Sequence, residues 1–244
     1  MARETKLKVT LLSFTPDSEK NVVAAIRQCY SSVGAKEIKQ KTDKETRERL
    51  IRQVMASGHT STLEHASFTF SIEGVSRVTE IQLIRHRIGC SYSIQSGRYV
   101  KRGQAEYVIP PAILNGDKKV LKKVRQHFKN TQELYNELID LGVKAEDARY
   151  CQPQSLKTKI VMTMNVRALL HFFNLRCCKR AQWEIQALAN KMLELVKQKA
   201  PVIFENAGAS CVSEGICWEG GMSCGLWKSI PGAMLKSRIK NEKG

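Results

Sequence analysis

The 244-residue sequence has no run of about 18 apolar residues, so a membrane-spanning helix is not expected. Its opening residues, Met1-Ala2-Arg3-Glu4-Thr5-Lys6, lack the apolar core of a signal peptide, which points to a cytoplasmic location. Aromatic residues make up only 7%, thin for a surface that stacks on nucleic-acid bases. Neither a GxxxxGK[ST] phosphate loop nor a GxGxxG fingerprint is present, which excludes the common self-contained nucleotide loops. HExxH is also absent, and no histidine follows Gly208, so no metal site is expected. Eight cysteines without a signal peptide read as free thiols in a reducing compartment.

Acidic side chains are scarce as well: 23 against 40 Lys and Arg, for a net charge of +17. Such an excess favours an anionic partner. Much of it sits in plainly solvated places, such as Lys118-Lys119, Lys122-Lys123 and the tail Lys236 to Lys243, so charge alone does not separate a polymer from a nucleotide. The length suits one domain with an appendage. We read 1–207 as a single α/β catalytic domain and 208–244 as a Cys-, Gly- and Lys-rich appendage or mobile tail.

Local patterning supplies a mixed fold. Lys6 to Phe14 alternates as a strand, and Thr15-Pro16-Asp17 leads into a helix from about Ser18 to Ser31. A second helix is predicted from Asp43 to Ala56, stopped by Gly58, then a strand over Ala66 to Ile72 and a helix from Val75 to Arg87. Further helices are predicted over Lys118 to Leu141, Ala145 to Tyr150, Asn165 to Arg176 and Ala181 to Ala200, with a strand at Lys157 to Met164.

The densest chemistry lies between Arg85 and Arg102. Arg85, His86, Arg87 and Arg98 stand among Ser91, Ser93 and Ser96, with Gly89 and Gly97 allowing backbone to approach a ligand. Guanidinium groups match phosphate oxygens two at a time, so the stretch suits phosphorylated ligands. Upstream, Ser61 and Glu64 have capping-box spacing, which leaves His59 and His65 unexplained. Downstream, Arg167, His171 and Asn174 form one polar stripe on a helix, opposite Val166, Leu169, Leu170 and Phe173. A solvated face usually carries Lys and Glu, whereas this stripe offers directional hydrogen bonds. Cys211, Cys217 and Cys224 are spaced by five and six residues, without the close pairs typical of zinc. Cys151 follows Arg149-Tyr150 with no nearby histidine as base and reads as a passive thiol.

Together these segments resemble the flavin-dependent thymidylate synthases. Arg85-His86-Arg87 followed by Ser96 is similar to that family's Arg-His-Arg, seven residues, Ser signature, here with eight intervening residues, so that Gln95 takes the strict position. His59 to His65 is similar to its His-x-Ser/Thr-x-x-Glu-His run, and Asn165 to Arg176 with Ala181-Gln182-Trp183-Glu184-Ile185 to its Asn-x-Arg…Leu-Arg segment. Two further departures are Ile94, two before the serine, and His171 in place of a frequent Asn. The Pro-Cys-His nucleophile segment of the flavin-free thymidylate synthases is absent.

The resemblance implies an α/β (α+β) fold, a mainly antiparallel sheet flanked by helices, in a homotetramer with shared active sites. It implies methylation of dUMP to dTMP, with 5,10-methylenetetrahydrofolate and NADPH as co-substrates and FAD as cofactor. By position, Ser61, Glu64, Arg85, His86, Arg87, Asn165, Arg167 and His171 would hold FAD. Gln82, Arg85, Gln95, Ser96, Gly97, Arg98, Arg149 and Arg176 would hold dUMP, with Arg176 catalytic through charge developing on the uracil ring. Two other readings use the same charge: a non-catalytic nucleic-acid binder, and a flavin- and folate-dependent RNA uracil methyltransferase. Without a binding motif or stacking aromatics, no nucleic-acid partner is expected.

Overall fold

A computed structural model describes residues 3–101 and 103–237; Arg102 and most of the basic tail lie outside the described residues. The chain opens with β1 (Arg3–Glu4) and β2 (Lys8–Phe14), then α1 (Ser18–Gln28), α2 (Ala35–Lys41) and α3 (Lys44–Ser57). α3 starts where Asp43 accepts a hydrogen bond from the Thr46 amide and stops at Gly58. A 3₁₀ turn over Thr60–His65 leads to β3 (Ser67–Ser76), α4 (Arg77–Leu83), β4 (Cys90–Ile94) and β5 (Glu106–Tyr107). Next come α5 (Pro111–Leu114), the amphipathic α6 (Lys118–Asp140), α7 (Ala145–Ala148), β6 (Lys157–Asn165), α8 (Val166–Arg176) and α9 (Trp183–Lys197). The end carries α10 (Ser210–Ser213), β7 (Ile216–Cys217) and β8 (Met234–Leu235).

Four strands form one sheet in the order β2-β3-β6-β4. Its bonds run antiparallel, because partner numbers fall on one strand as they rise on the next. Thr69 and Thr163 hydroxyls meet at 2.9 Å while the Arg77 amide donates to the Leu156 carbonyl. Likewise Asn165 N donates to Gly89 O and Gln95 N to Lys159 O. The short pairs β1-β5 and β7-β8 are parallel. This is the mainly antiparallel sheet with helices that the resemblance implies.

The chain divides into two compact units. The first comprises the residues up to Thr10, Ser71–Arg85 and Tyr92–Met162. Its apolar cluster joins Ala105, Tyr107, Ile109, Phe128 and Leu156, with the Tyr107 and Phe128 rings stacked at 4.4 Å. The second comprises Leu11–Phe70, His86–Ser91 and the chain from Thr163 on. A relay of rings runs through it: Phe14 stacks on Phe68 at 5.9 Å, Phe68 meets Phe204, Phe204 meets Phe173, and Phe173 meets Phe172. Edge-to-face packing of this kind adds to plain area burial.

Three local expectations need correction. β3 runs on to Ser76, so the helix predicted from Val75 begins at Arg77 and ends at Leu83. Gly74 breaks the alternation but not the strand: at φ 78° it lets the Lys6 carbonyl pass where a Cβ would lie 2.0 Å away. Ser76 then caps α4 by accepting from the Thr79 amide. The first helix stops at Gln28, short of Ser31, and α2 and β4 have no counterpart among the predicted elements.

Candidate functional site

In the first unit, Arg98 and Arg149 converge on Glu146. Arg98 Nε donates to the Glu146 carboxylate at 2.9 Å, and Arg149 Nε donates to the Glu146 backbone carbonyl at 3.0 Å. α7 places both acceptors on one residue. Sequence reasoning misses Glu146, since an acidic residue in a basic protein carries no motif. Gly97 is buried against the Arg149 side chain, where a Cβ would approach Arg149 Cδ to 3.1 Å. Ser96 Oγ accepts from the Arg98 amide at 3.2 Å and shapes the turn, while the Gln95 amide is spent on the sheet. Ser96, Gly97, Arg98 and Arg149 are therefore brought together. Gln82 instead donates back to the Val78 carbonyl of its own helix, and Arg85 is exposed.

Arg149, Gly97, Arg77, Tyr135, Tyr150 and Gln152 line a cavity of about 310 Å³. That volume lies within the ~300–1,000 Å³ common for small-molecule sites. Cys151, beside it in sequence, has its thiol pushed up by burial.

In the second unit, three candidate residues gather at one end of α8 and another at its close. Asn165 caps α8 by accepting from the Ala168 amide at 2.8 Å. Gly89, at φ 69°, lies so close beneath it that a Cβ would stand 2.5 Å from Asn165 Nδ2. Arg167 Nη1 donates to the Glu64 carboxylate at 2.7 Å. This corrects the capping-box reading, because the 3₁₀ turn has His59 at its cap position and no side-chain cap. With only a short 3₁₀ turn there, Glu64 has a better partner in the guanidinium. Ser61 is exposed and, with His59, Thr62 and Tyr30, lines a cavity of about 580 Å³. Thr62 Oγ1 is buried there without a partner among the described residues.

His86 is the hinge of this cluster. Its ring lies edge-on to Phe172 at 5.0 Å, extending the aromatic relay, and 6.2 Å from His171. Arg176 Nε donates to His86 Nε2 at 3.0 Å. Arg87, next in sequence, is exposed. The polar stripe on α8 is not wholly a ligand surface, however. Asn174 donates to Glu214 and accepts from Ser213 Oγ, each at 2.6 Å, so its amide is used inside the protein.

The described part of the segment after Gly208, up to Ser237, packs within this unit. Cys211 and Cys217 are buried with Ala209, and Cys177, Cys178, Leu226, Trp227 and Ile230 pack against them. Burial pushes the Cys177 thiol up to about 12, and it raises the Cys178 and Cys211 thiols as well, with neighbouring thiols adding to the shift of each. Among the described residues, no group of three or more His, Cys, Asp or Glu side chains is placed to hold a metal ion.

Comparison with known proteins gives these constellations a context. Residues 10–202 match the family model described as thymidylate synthase complementing protein. The flavin-dependent thymidylate synthase of Geobacter sulfurreducens is 50% identical over 224 residues, covering 90% of this chain and 94% of that protein. The protein of the same name from Clostridium tetani is 46% identical over 235 residues, covering 90% and 93%. Among solved structures, a UMP/dUMP methylase, PolB, from Streptomyces cacaoi bound with 5-Br dUMP superposes with a TM-score of 0.74 at 26% identity, covering 84% of this chain and 96% of that one.

Proposed function

Because the chain belongs to the thymidylate synthase complementing protein family, we propose that it is a flavin-dependent enzyme that methylates dUMP to dTMP. 5,10-Methylenetetrahydrofolate gives the carbon and NADPH the reducing power, through FAD. The observation that carries the reading is the pair of constellations. Ser96, Gly97, Arg98 and Arg149 are gathered around Glu146, and His86, Asn165, Arg167, His171 and Arg176 around α8.

The second set fits a flavin dinucleotide by its chemistry. Arg87 is an exposed guanidinium suited to a pyrophosphate, and Thr62 offers a buried hydroxyl, unpartnered among the described residues, in a cavity that Ser61 also lines. When bound, FAD supplies the redox step that no side chain can. The protein's part is to bind, orient and polarise. Arg98 and Arg149, steadied by Glu146, would take the nucleotide phosphate and sugar, with Gln82, Arg85, Gln95, Ser96 and Gly97 completing that set.

Arg176 would stand against the uracil carbonyls and N3, where negative charge must be stabilised for C5 to act as a nucleophile. His86 fixes it, since a guanidinium tethered through Nε presents its two terminal nitrogens together. This activation calls on no protein nucleophile. Cys151 is held as the neutral thiol by burial and Cys177 more strongly so. Residues 1–207 would carry the chemistry, with 208–244 as an appendage.

A homotetramer with shared sites is part of the proposal. It is supported by apolar side chains left exposed beside the arginine cluster: Val78 and Ile81 on α4, Ile84 just past its end, and Ile88 at 92% exposure. Among the described residues no helix is long and apolar enough to cross a membrane. A cytoplasmic site of action is the reading that goes with free thiols. The test is omission: dTMP should form from dUMP only when folate donor, NADPH and FAD are all present. Formation of no dTMP under any combination would reject the reading.

A further inference from the structure

The outward face of α6 carries a pattern that its own helix does not use. On the inward side Leu121, Val124 and Phe128 join the apolar cluster of the first unit, and Thr131, Gln132 and Tyr135 continue the buried face. On the outward side Val120, Leu134 and Leu141 are exposed, Leu141 to 75%, and His127 is exposed between them. These four stand seven residues apart. Two turns of helix take about seven residues, so they fall on one line about 30 Å long.

Charge along α6 is segregated. Every charged side chain from Lys118 to Lys129 is basic, and every one from Glu133 to Asp140 is acidic. The helix dipole favours the opposite, acid at the start and base at the end. Like charges also stand four apart at Lys119 and Lys123, and at Glu133 and Glu137, where they repel. Within the chain Arg125 pairs with Glu4, and Lys129 with Glu133. The side chains of Lys119, Lys122, Lys123, Glu137 and Asp140 have no partner among the described residues.

A pattern unfavourable to the lone helix is satisfied by the same helix running the other way. A two-fold axis beside Asn130 sets Val120 opposite Leu141 and His127 opposite Leu134. It also sets the basic half of each copy against the acidic half of the other, so that Lys119 and Lys123 face Glu137 and Asp140, and it opposes the two dipoles. A polyanion such as nucleic acid would leave the acidic half facing like charge. We propose that α6 is a self-docking surface on which a second copy of this chain seats its own α6 antiparallel. The inference is independent of the enzymatic reading. None of these residues belongs to the nucleotide or flavin sets, or to the exposed apolar positions around α4.

Disulfide trapping tests it. Asn130→Cys places a thiol beside the proposed axis, in the full chain with its exposed thiols removed by Cys29→Ser and Cys224→Ser. Oxidation with diamide, read on a non-reducing gel, should give a covalent dimer at least tenfold above the same chain without Asn130→Cys. Two charge reversals are then added separately, Lys119→Glu with Lys123→Glu, and Glu137→Lys with Asp140→Lys. Either alone sets like charges face to face and should cut the dimer at least fivefold. Chains bearing the two different reversals, co-expressed with tags of different size, should recover it as the mixed species. If a double reversal does not fold, as read by circular dichroism, Lys123→Glu and Glu137→Lys alone carry the same comparison. Absence of an Asn130→Cys dimer above background would overturn the proposal. So would reversals that leave its yield unchanged, or a mixed pair no more abundant than either variant by itself.

Discussion

Arg176 and His86 lie 90 positions apart in sequence and share a hydrogen bond of 3.0 Å, Nε to Nε2. The bond requires His86 Nε2 to be the unprotonated ring nitrogen, since a guanidinium can only donate. The histidine ring is in turn set edge-on against Phe172. The orientation of the proposed catalytic arginine therefore derives from the aromatic core of the second unit.

Arg176→Ala should lower kcat by about 100- to 1,000-fold, the loss typical of removing one donor to a developing anion. Flavin content, read from absorbance, should stay close to wild type. Arg176→Lys should not rescue, because an ammonium lacks the tethering Nε and the planar pair of donors.

Glu64 and Arg167 form a charge-assisted pair at 2.7 Å, with side chains 43% and 56% exposed. Exposed pairs contribute roughly 0–1 kcal/mol, so Glu64→Ala should shift the urea midpoint little. The expected effect is on the cofactor: a freed Arg167 side chain should lower FAD affinity several-fold in a fluorescence titration. A large stability loss with unchanged affinity would show that the pair is structural.

Gly89 and Asn165 make the tightest approach in the candidate site. Gly89→Ala must both hold an L residue at φ 69° and displace the Asn165 amide from 2.5 Å, so it should destabilise by about 1–3 kcal/mol and lower flavin content. Asn165→Ala should cost about 1 kcal/mol through loss of the α8 cap, measured by chemical denaturation.

The thiols should divide by burial. Cys29 and Cys224 are exposed and should alkylate first in the native protein at pH 8. Cys177, held as a thiol up to about 12, should react only on unfolding. Early alkylation of Cys177 would contradict the packing of the segment after Gly208.

What is legible in the sequence depends on range. Asn165 to Arg176 reads as a capped helix because cap, periodicity and terminus all lie within a dozen residues, and the structure keeps those bounds. β4 does not: Cys90 to Ile94 is a short polar run that becomes a strand only when β6 offers it carbonyls, as Lys159 does for Gln95. The same limit hides Glu146. Its role arises from carrying both a carboxylate for Arg98 and a carbonyl for Arg149, a relation between α7 and a loop 48 residues away. Ser61 and Glu64 mislead in the opposite sense, since a local capping rule fits them and a partner 103 residues distant wins Glu64. Asn174 belongs to a convincing polar stripe and is claimed by Ser213 and Glu214.

The central claim is that guanidinium groups hold a pyrimidine monophosphate for one-carbon transfer. Its most direct test follows the carbon itself. Flavin-loaded protein is incubated with dUMP, NADPH and methylenetetrahydrofolate labelled with ¹³C at the methylene, and the nucleotide pool is read by mass spectrometry. The account predicts dTMP carrying the label, in an amount that collapses in Arg176→Ala. Recovery of all the dUMP unchanged from wild-type protein that has taken up FAD would contradict it.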